Sequence, residues 1–394
     1  MLKLRRATVL RAGPIDGPEQ DLTISLGGER RPAIAEIGLV GASRQGDEVI
    51  VNAQARDLGL GSGGFDIVHV NLTRGLAGEG EPDAHVMKLN YTSLQHAVRP
   101  VEDTQRGAPH GGAQAGEELL LPLEKPVAVL ALHGQLAAVA WAFAQTHRGA
   151  TLGYVQTPGG ALPGGHSRIV RKLRERGLLA GHLTAGASYG GEAEAVSTAG
   201  ALHHGLRTLG WDAAVCGPGP GIVGSSSPLG HGGMHALDSA HTALALGAPT
   251  LLVARMSSAD ERPRHRGISH HTLTVLDLLL EPVTVALPAG IRSPVGADLR
   301  ARLGSVFGST DERVRPQLEL DVSRPARMAH HDWRRAPVEL PAYLASGLPA
   351  ETMGRVLVED PLFFGAALAG GTVLGELCEH TRDRTQASAE GRVG

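Results

Sequence analysis

Hydrophobic and polar positions change their pattern at about residue 120. From there, apolar runs of strand length, beginning with PVAVLALHG at 126–134, alternate with helically spaced segments such as the alanine-rich 135–146. The alternation continues to a sixth apolar run, PVTVALPAG at 282–290. Continuous apolar strands separated by helices indicate a parallel sheet that is covered on both faces. The pattern therefore predicts an α/β domain with a doubly wound, mainly parallel sheet over residues 120–290.

The first hundred residues have a different pattern. Short apolar runs recur between turn residues, and GDEVIVNAQ at 46–54 places a Gly-Asp turn before a β-branched strand. This spacing predicts a smaller N-terminal all-β domain, a barrel or a sandwich, over residues 1–100. Residues 101–119 lack apolar periodicity and are predicted to be a linker or surface loop. Residues 291–380 form a mixed segment that either completes the α/β domain or covers the barrel, and 381–394 are predicted to be a flexible tail.

Composition excludes several classes of function. The chain has 394 residues, a net charge of -3 and only 3% aromatic residues, which disfavours binding to nucleic acid or to an anionic membrane. Two cysteines favour a reducing compartment without a disulfide framework. The sequence contains no uncharged run of about 20 apolar residues, so no membrane span is predicted. The N-terminus lacks the pattern of a signal peptide. We expect a soluble cytoplasmic protein, with a homo-oligomer left open.

The predicted sheet indicates where a ligand should bind. Ligands of open parallel sheets bind beyond the carboxyl ends of the strands. The second strand ends at Thr157 before Gly159 and Gly160, and Glu192 lies in the loop after the third strand. Together these ends form one predicted rim, with Thr157, Gly159 and Gly160 as ligand-binding residues and Glu192 as a reserve base.

The loop after the fourth strand reads CGPGPGIVGSSS at 216–227. Its glycines can present backbone amides and its serines hydroxyl groups to a phosphate or carboxylate near a helix start. No lysine follows and prolines interrupt, so the loop is neither a P-loop nor a dinucleotide fingerprint. A rigid turn packed against a neighbouring strand is the alternative. The predicted anion-binding residues are Gly217, Gly219, Gly221, Ser225, Ser226 and Ser227.

A histidine-rich helix follows this loop. His231, His235 and Asp238 are spaced by four and three residues, which places them on one helical face. Two histidines and a carboxylate can hold zinc or a similar ion. The alternative is a solvated polar face, because Met234, Ala236 and Leu237 supply the apolar side. These three residues are the predicted metal ligands.

An arginine-histidine cluster opens the next helix, where Ser269 is a suitable N-cap. Cations at a helix N-terminus need a compensating anion, which is either Asp260 with Glu261 or a bound ligand. Arginine binds phosphate and carboxylate in a bidentate manner, and histidine transfers protons near neutral pH. The predicted anion-binding residues are Arg262, Arg264 and Arg266, and the predicted catalytic residues are His265, His270 and His271. A surface loop with internal ion pairs is the alternative.

These features favour an enzyme that hydrolyses, or transfers a group from, a small molecule carrying phosphate or carboxylate. Redox chemistry is disfavoured because neither a dinucleotide fingerprint nor a redox cysteine pair occurs, and the absence of Gly-x-Ser-x-Gly argues against an ordinary α/β-hydrolase. A metal-dependent hydrolase that uses the His/Asp helix face is one alternative. A non-catalytic metabolite-binding or assembly protein is the other. The cofactor is not determined by the sequence, and a divalent metal is left open.

Four segments, HVMKLNYTSLQHAV, YVQTPGGALPGG, CGPGPGIVG and RPRHRGISHHTLTVL, resemble a bacterial protein family known only as a domain of unknown function. The resemblance spans roughly residues 1–380, and RHRGISHHT is its most distinctive element. It implies a soluble bacterial protein with an N-terminal β part and a larger α/β part. It implies no substrate and no catalytic residues.

Overall fold

The N-terminal strands close a five-stranded barrel. The computed structural model describes residues 1–15, 17–60, 63–82, 84–103, 118–291 and 329–390. The barrel strands follow the order β1-β2-β3-β5-β4, and alternating residues such as Val9, Ile24 and Val49 fill its interior. The prediction of an N-terminal β domain is confirmed, and its form is a barrel. The strands are β1 Leu4–Ala12, β2 Glu19–Leu26, β3 Glu29–Glu36, β4 Glu48–Asn52 and β5 Asp66–Asn71.

Short elements connect the barrel to the larger sheet. Helices α1 (Ile37–Val40) and α2 (Gln54–Asp57) lie within the barrel sequence, and β6 (Val86–Lys88) pairs with β7 (His96–Val98). The buried Lys88 donates from Nζ to the carbonyl oxygens of Ser188 and Ala195, at 2.7 and 2.9 Å. This side chain anchors the hairpin to the larger sheet. The predicted linker falls largely on residues 104–117, which lie outside the described residues.

Among the described residues, the larger sheet has eight strands, all parallel, in the order β11-β10-β9-β12-β8-β13-β16-β17. The predicted parallel sheet is therefore confirmed. Every residue of β8, β9 and β12 is buried, as expected for strands covered on both faces. The sheet strands are β8 Val127–Leu130, β9 Leu152–Thr157, β10 Gly181–Ala185, β11 Ala193–Ala195, β12 Ala213–Pro218, β13 Thr250–Val253, β16 Thr284–Ile291 and β17 Asp332–Val338; the short pairs are β14 Met256–Ser257 with β15 Gly267–Ile268 and β18 Glu351–Thr352 with β19 Arg355–Val356.

Helices cover both faces of the sheet. Helices α3, α8 and α9 pack together on one face, whereas α5, α6 and α7 follow one another on the other. The carboxyl ends of the central strands β12, β8 and β13 therefore lie where helices depart to opposite faces, which is the position of ligand crevices in such sheets. The helices are α3 Leu136–Thr146, α4 Arg168–Glu175, α5 Thr198–His203 (continued by a π-helical turn, His204–Thr208), α6 His235–Ala245, α7 His270–Leu278, α8 Leu340–Ala345 and α9 Pro361–Glu390.

Helix α9 is long and apolar. Its segment Pro361–Asp383 has the length and composition of a helix that could cross a membrane. An 18-residue stretch of this segment has a mean hydropathy of 1.4, yet 89% of that stretch is buried inside the fold. A Cβ on Gly371 would come within 2.2 Å of the Val139 carbonyl oxygen, so α9 and α3 touch backbone to backbone. The helix is thus packed as a core helix of this fold. It continues to Glu390, through most of the segment predicted to be a tail.

Candidate functional site

Three histidines converge where the chain leaves β13 and enters α7. His265 belongs to a 3-10 turn, Pro263–His265, and only 1% of it is exposed. His270 and His271 are the first residues of α7, and the Ser269 side chain caps that helix. Each of the three histidines offers one ring nitrogen, and these atoms lie within 4.8 Å of one another. The structure therefore brings together the three histidines predicted to be catalytic.

A fourth imidazole joins this group from the loop after β12. The ring of His231 stacks on that of His271 with 3.4 Å between centroids, and the His265 and His270 rings lie 4.8 Å apart. We call His231, His265, His270 and His271 the histidine cluster. The sequence analysis placed His231 with a different group of residues, so the cluster draws on two loops of the rim.

Hydrogen bonds orient the cluster. Nδ1 of His265 lies 2.8 Å from Oγ of Ser269. Nε2 of His265 is buried and has no hydrogen-bond partner among the residues that the structure describes. Buried polar atoms are normally satisfied by protein, water or an ion. Nε2 of His265 is therefore the ring nitrogen that is available to a ligand.

Burial keeps these imidazoles neutral. Burial and, to a smaller extent, the nearby Arg255 guanidinium together lower the pKa of His265 to about 3 and that of His231 to about 4. Burial and the neighbouring His231 also lower the pKa of His271. At neutral pH their ring nitrogens retain lone pairs, which is the form that binds metal ions.

Arg255 is the charged residue of the site that sequence analysis missed. It follows β13, only 3% of it is exposed, and its Nη1 donates to Nδ1 of His271 at 3.0 Å. Its Nε is buried without a hydrogen-bond partner in the described chain. Burial lowers the pKa of Arg255 to about 10, partly offset by Asp260, so it is charged at neutral pH. Its position at a strand end was a usable signal that was overlooked.

Two buried aspartates balance the positive charge. Asp260 accepts from Nε and Nη2 of Arg262 at 2.9 and 3.0 Å and lies 3.4 Å from Arg255. Burial raises the pKa of Asp260, but the hydrogen bonds from Arg262 and its charge outweigh that effect and lower it. Asp360 accepts from Ser257 at 2.6 Å and from Nε of Arg355 at 3.2 Å. Asp260 is therefore the anion that compensates the charge of Arg262.

The other two predicted anion-binding arginines lie at the surface. Arg264 is exposed, and Arg266 is exposed with its Nε donating to the backbone carbonyl of Asp260 at 2.9 Å. Glu192, the reserve base, forms a two-point ion pair with Arg174. Arg264, Arg266 and Glu192 thus stand apart from the buried cluster.

The predicted glycine loops pack against each other. A Cβ on Gly160 would meet the Gly219 carbonyl oxygen at 2.2 Å, and one on Gly159 would meet the Gly232 carbonyl oxygen at 2.5 Å. Gly217 packs in the same way on Leu130. These contacts give the glycines a packing role, and for the loop after β12 such packing was the stated alternative to ligand binding.

Further predicted residues of these loops are placed as follows. Thr157 is buried and donates from Oγ1 to the Pro158 carbonyl at 3.2 Å. Gly221 takes a left-handed φ of 71° in an exposed turn. The Ser225 and Ser227 hydroxyls accept from backbone amides of the same turn, those of Ser227 and Leu229, at 3.2 and 3.3 Å. Ser226 is exposed as well, so the serine run forms an outer turn of the rim.

The predicted metal ligands His231, His235 and Asp238 separate. His235 pairs with Asp238 at 3.5 Å on the partly exposed side of α6, whereas His231 is buried in the histidine cluster. The turn Gly232–Met234 precedes α6 and directs His231 away from the helix face. Within the described ranges, the three-ligand groups that contain histidine lie elsewhere.

A row of buried polar side chains connects neighbouring strands of the sheet. Nε2 of His133 lies 2.7 Å from Oγ of Ser167, and the Tyr154 hydroxyl donates to the Pro218 carbonyl at 2.9 Å. His182 stacks on Tyr154, and its Nε2 lies 3.2 Å from Oε1 of Gln156. Burial lowers the pKa of His133 to about 4 and that of His182 to about 3. This row ties β8, β9 and β10 together below the site.

Comparisons with known proteins identify the chain by family alone. No curated protein and no solved structure matches it. One family model matches residues 32–371, a range that begins within β3 and includes β4, β5, the whole parallel sheet and the histidine cluster. The chain belongs to the family described as "Protein of unknown function (DUF3866)".

Proposed function

We propose that this protein is a metal-dependent hydrolase or group-transfer enzyme that acts on a small molecule carrying phosphate or carboxylate. The observation that carries the proposal is the convergence of nitrogens from His265, His270 and His271 within 4.8 Å. Three imidazoles are a known ligand set for catalytic zinc, and they leave a coordination position open for water or substrate. The proposal thus moves the expected metal from the α6 face to the start of α7.

The chain's own residues prepare this site for a cation. His265 and His271 are held neutral by burial, and Ser269 fixes His265 through Nδ1, which leaves Nε2 of His265 available as a ligand. A metal bound by these histidines would supply a water of lowered pKa and polarise a substrate oxygen. Contacts to the second ring nitrogen orient histidine ligands in other metal sites, and Ser269 performs that role here.

Arg255 supplies the anion-binding group. Its guanidinium is buried beside His271, with Nε lacking a hydrogen-bond partner in the part of the chain described here. If Nδ1 of His271 were to hold a metal, Arg255 would lose that partner, and its Nη1 and Nε groups would be available to a phosphate or carboxylate oxygen. Arg264 and Arg266 remain the alternative anion ligands, approached from the surface.

The test is cobalt binding by the full-length protein, purified without an affinity tag and freed of metal with a chelator. Tetrahedral Co²⁺ gives visible absorption that reports nitrogen ligation, and we expect about one equivalent at this site. The double variant His265→Ala/His270→Ala should lose the signal. His235→Ala, which removes the partly exposed histidine of α6, is the matched control and should keep it. An unchanged spectrum in the double variant overturns the proposal.

A turnover assay then separates an enzyme from a binding protein. Metal-loaded protein is screened against phosphate monoesters, phosphodiesters and carboxylic esters, with metal-free protein and the double histidine variant as controls. Turnover that requires both the metal and the histidines supports an enzyme. Metal binding without turnover of any of these substrates supports a metabolite-binding protein instead.

We also propose that the protein works in the cytoplasm. Both cysteines, Cys216 and Cys378, are free and buried, as is usual for structural cysteines in a reducing compartment. The formal charge of -3 adds no attraction to nucleic acid or to an anionic membrane surface. Fractionation of cells that produce the tagless protein tests the location, and recovery with the membrane pellet would contradict it.

A further inference from the structure

A second group of metal-ligating side chains lies where the barrel meets the rim of the large sheet. Glu19 begins β2 and Glu36 ends β3, and the two residues are direct partners across the antiparallel pair. His166 ends the 3-10 turn Gly164–His166 that follows β9. One carboxylate oxygen from each glutamate and one ring nitrogen of His166 lie within 4.8 Å of one another. None of these residues was singled out from the sequence.

The two carboxylates are buried, and that of Glu36 is incompletely satisfied. Glu19 is 8% exposed and Glu36 is 9% exposed. Oε1 of Glu19 contacts Nδ1 of His166. Oε2 of Glu36 has no hydrogen-bond partner among the described residues. Burying carboxylates without full compensation is costly, and proteins compensate such groups by pairing them or by binding a metal ion.

The three side chains offer the donor atoms that a divalent cation binds, two carboxylate oxygens and one imidazole nitrogen, from one group. A divalent cation would neutralise both carboxylates and use the lone pair of the imidazole.

The surrounding contacts hold the three ligands together. A Cβ on Gly165 would come within 2.5 Å of Pro18, so the barrel packs directly against the turn that carries His166. A Cβ on Gly190, in the loop after β10, would lie 3.9 Å from Oε1 of Glu36. Phe65 of the barrel lies 6.1 Å from the His166 ring. The group is therefore built from both parts of the fold.

We propose that Glu19, Glu36 and His166 form a second metal site, which binds a divalent first-row cation and fastens the barrel to the sheet. Two carboxylate oxygens and one imidazole nitrogen form a harder donor set than the three imidazoles of the histidine cluster, and such sets suit Mn²⁺. The site takes ligands from two packed units, so the bound cation stabilises their contact. This inference is independent of the function proposed for the histidine cluster.

The test is Mn²⁺ binding to full-length, tagless protein that carries His265→Ala, so that the histidine cluster does not contribute. Electron paramagnetic resonance counts free Mn²⁺, and we expect about one bound equivalent per chain. Adding Glu36→Gln should weaken the affinity by roughly tenfold to a hundredfold. The control Glu29→Gln, an exposed glutamate at the other end of β3, should leave it unchanged. Equal Mn²⁺ binding with and without Glu36→Gln overturns the site, as does the absence of binding.

Thermal unfolding provides a second readout that a variant with impaired folding cannot imitate. Without metal, Glu36→Gln should melt at a higher temperature than its parent at pH 8, because it removes a buried charge. With Mn²⁺ in excess the order should reverse, because only the parent gains stability by binding the ion. If Mn²⁺ raises both melting temperatures equally, the proposal fails. Such a result would not bear on the metal site proposed at the histidine cluster, because cobalt binding to protein with His265 intact tests that site separately.

Discussion

The rings of His231 and His271 stack with 3.4 Å between their centroids and 17° between their planes. His231 follows β12 and His271 opens α7, so this contact joins two loops of the rim. Burial is the main cause of the lowered pKa of both rings, and the nearby Arg255 guanidinium lowers the pKa of each in the same direction. His271 is one of the three expected metal ligands, and His231 is not. The stacked ring of His231 thus fixes the orientation of His271.

The stacked contact predicts a positioning role for His231. His231→Ala should weaken Co²⁺ binding by about tenfold, because the His271 ring loses the surface that orients it. His231→Phe keeps a flat ring and should restore most of the affinity. Titration of both variants by visible absorption checks this. Equal losses in the two variants would instead show that the imidazole nitrogens of His231 take part in binding.

Arg255 should affect cation and anion binding in opposite directions. Arg255→Met keeps much of the buried volume but removes the charge and the donor to His271, so Zn²⁺ affinity should rise while inorganic phosphate affinity falls by about tenfold. Isothermal titration with each ion measures both changes. Arg264→Met is the control, since Arg264 is exposed. If phosphate binding depends on Arg264 and not on Arg255, the surface arginines hold the anion.

Asp360 should be a large contributor to stability. It is fully buried and accepts hydrogen bonds from Ser257, Ser258 and Arg355, which join the loop after β13 to the start of α9. Asp360→Ala leaves the Arg355 charge without that partner and should lower the free energy of unfolding by about 3–5 kcal/mol. Urea denaturation measures this. Glu379→Ala, on the exposed side of α9, should change it by less than about 0.5 kcal/mol.

Acid should destabilise the fold through its buried histidines. In the unfolded chain a histidine has a pKa of about 6.5, whereas burial lowers the pKa of His133 to about 4 and of His182 to about 3. Below pH 6.5 the unfolded state therefore binds more protons, so stability falls as the pH falls toward those folded values. Melting temperatures of metal-free protein at pH 7.5, 6 and 5 should decrease in that order. In His182→Gln the decrease should be smaller.

The glycine contacts of the rim predict a position-specific cost. Gly160→Ala should lower the free energy of unfolding by about 1–3 kcal/mol, because its methyl group would overlap the Gly219 carbonyl. Gly224→Ala, in the exposed part of the neighbouring loop, has only an ordinary contact with His231 at 3.5 Å and should be tolerated. Chemical denaturation of the two variants checks this. Loss of phosphate binding by Gly160→Ala at unchanged stability would favour a ligand-binding role for that glycine.

The sequence predicted the sheet well because its signal is local. Buried strands such as β8 and β12 are continuous apolar runs, and each is followed by a loop and a helix. The same locality located His265, His270 and His271, which lie within one short segment before and at the start of α7. These elements required no knowledge of distant contacts.

The errors and omissions concern contacts between distant segments. His231 was grouped with His235 and Asp238 by helical spacing, but the turn before α6 carries it to His271 instead. Glu19 and Glu36 meet only because β2 and β3 pair in one particular register. Residue spacing along the chain contains no information on such pairings, so the Glu19–Glu36–His166 group could not be anticipated.

The backbone contact between Gly159 and Gly232 has a consequence for motion. The loop after β9 and the loop after β12 are joined by this contact and by the hydrogen bond from the Ala161 amide to the Pro220 carbonyl, at 2.6 Å. Because each loop is held by the other, opening one should require opening both, and their amides should exchange with solvent as one cooperative unit. A ligand that needs more room at the proposed site would then have to gain it from the outer turn around Ser226.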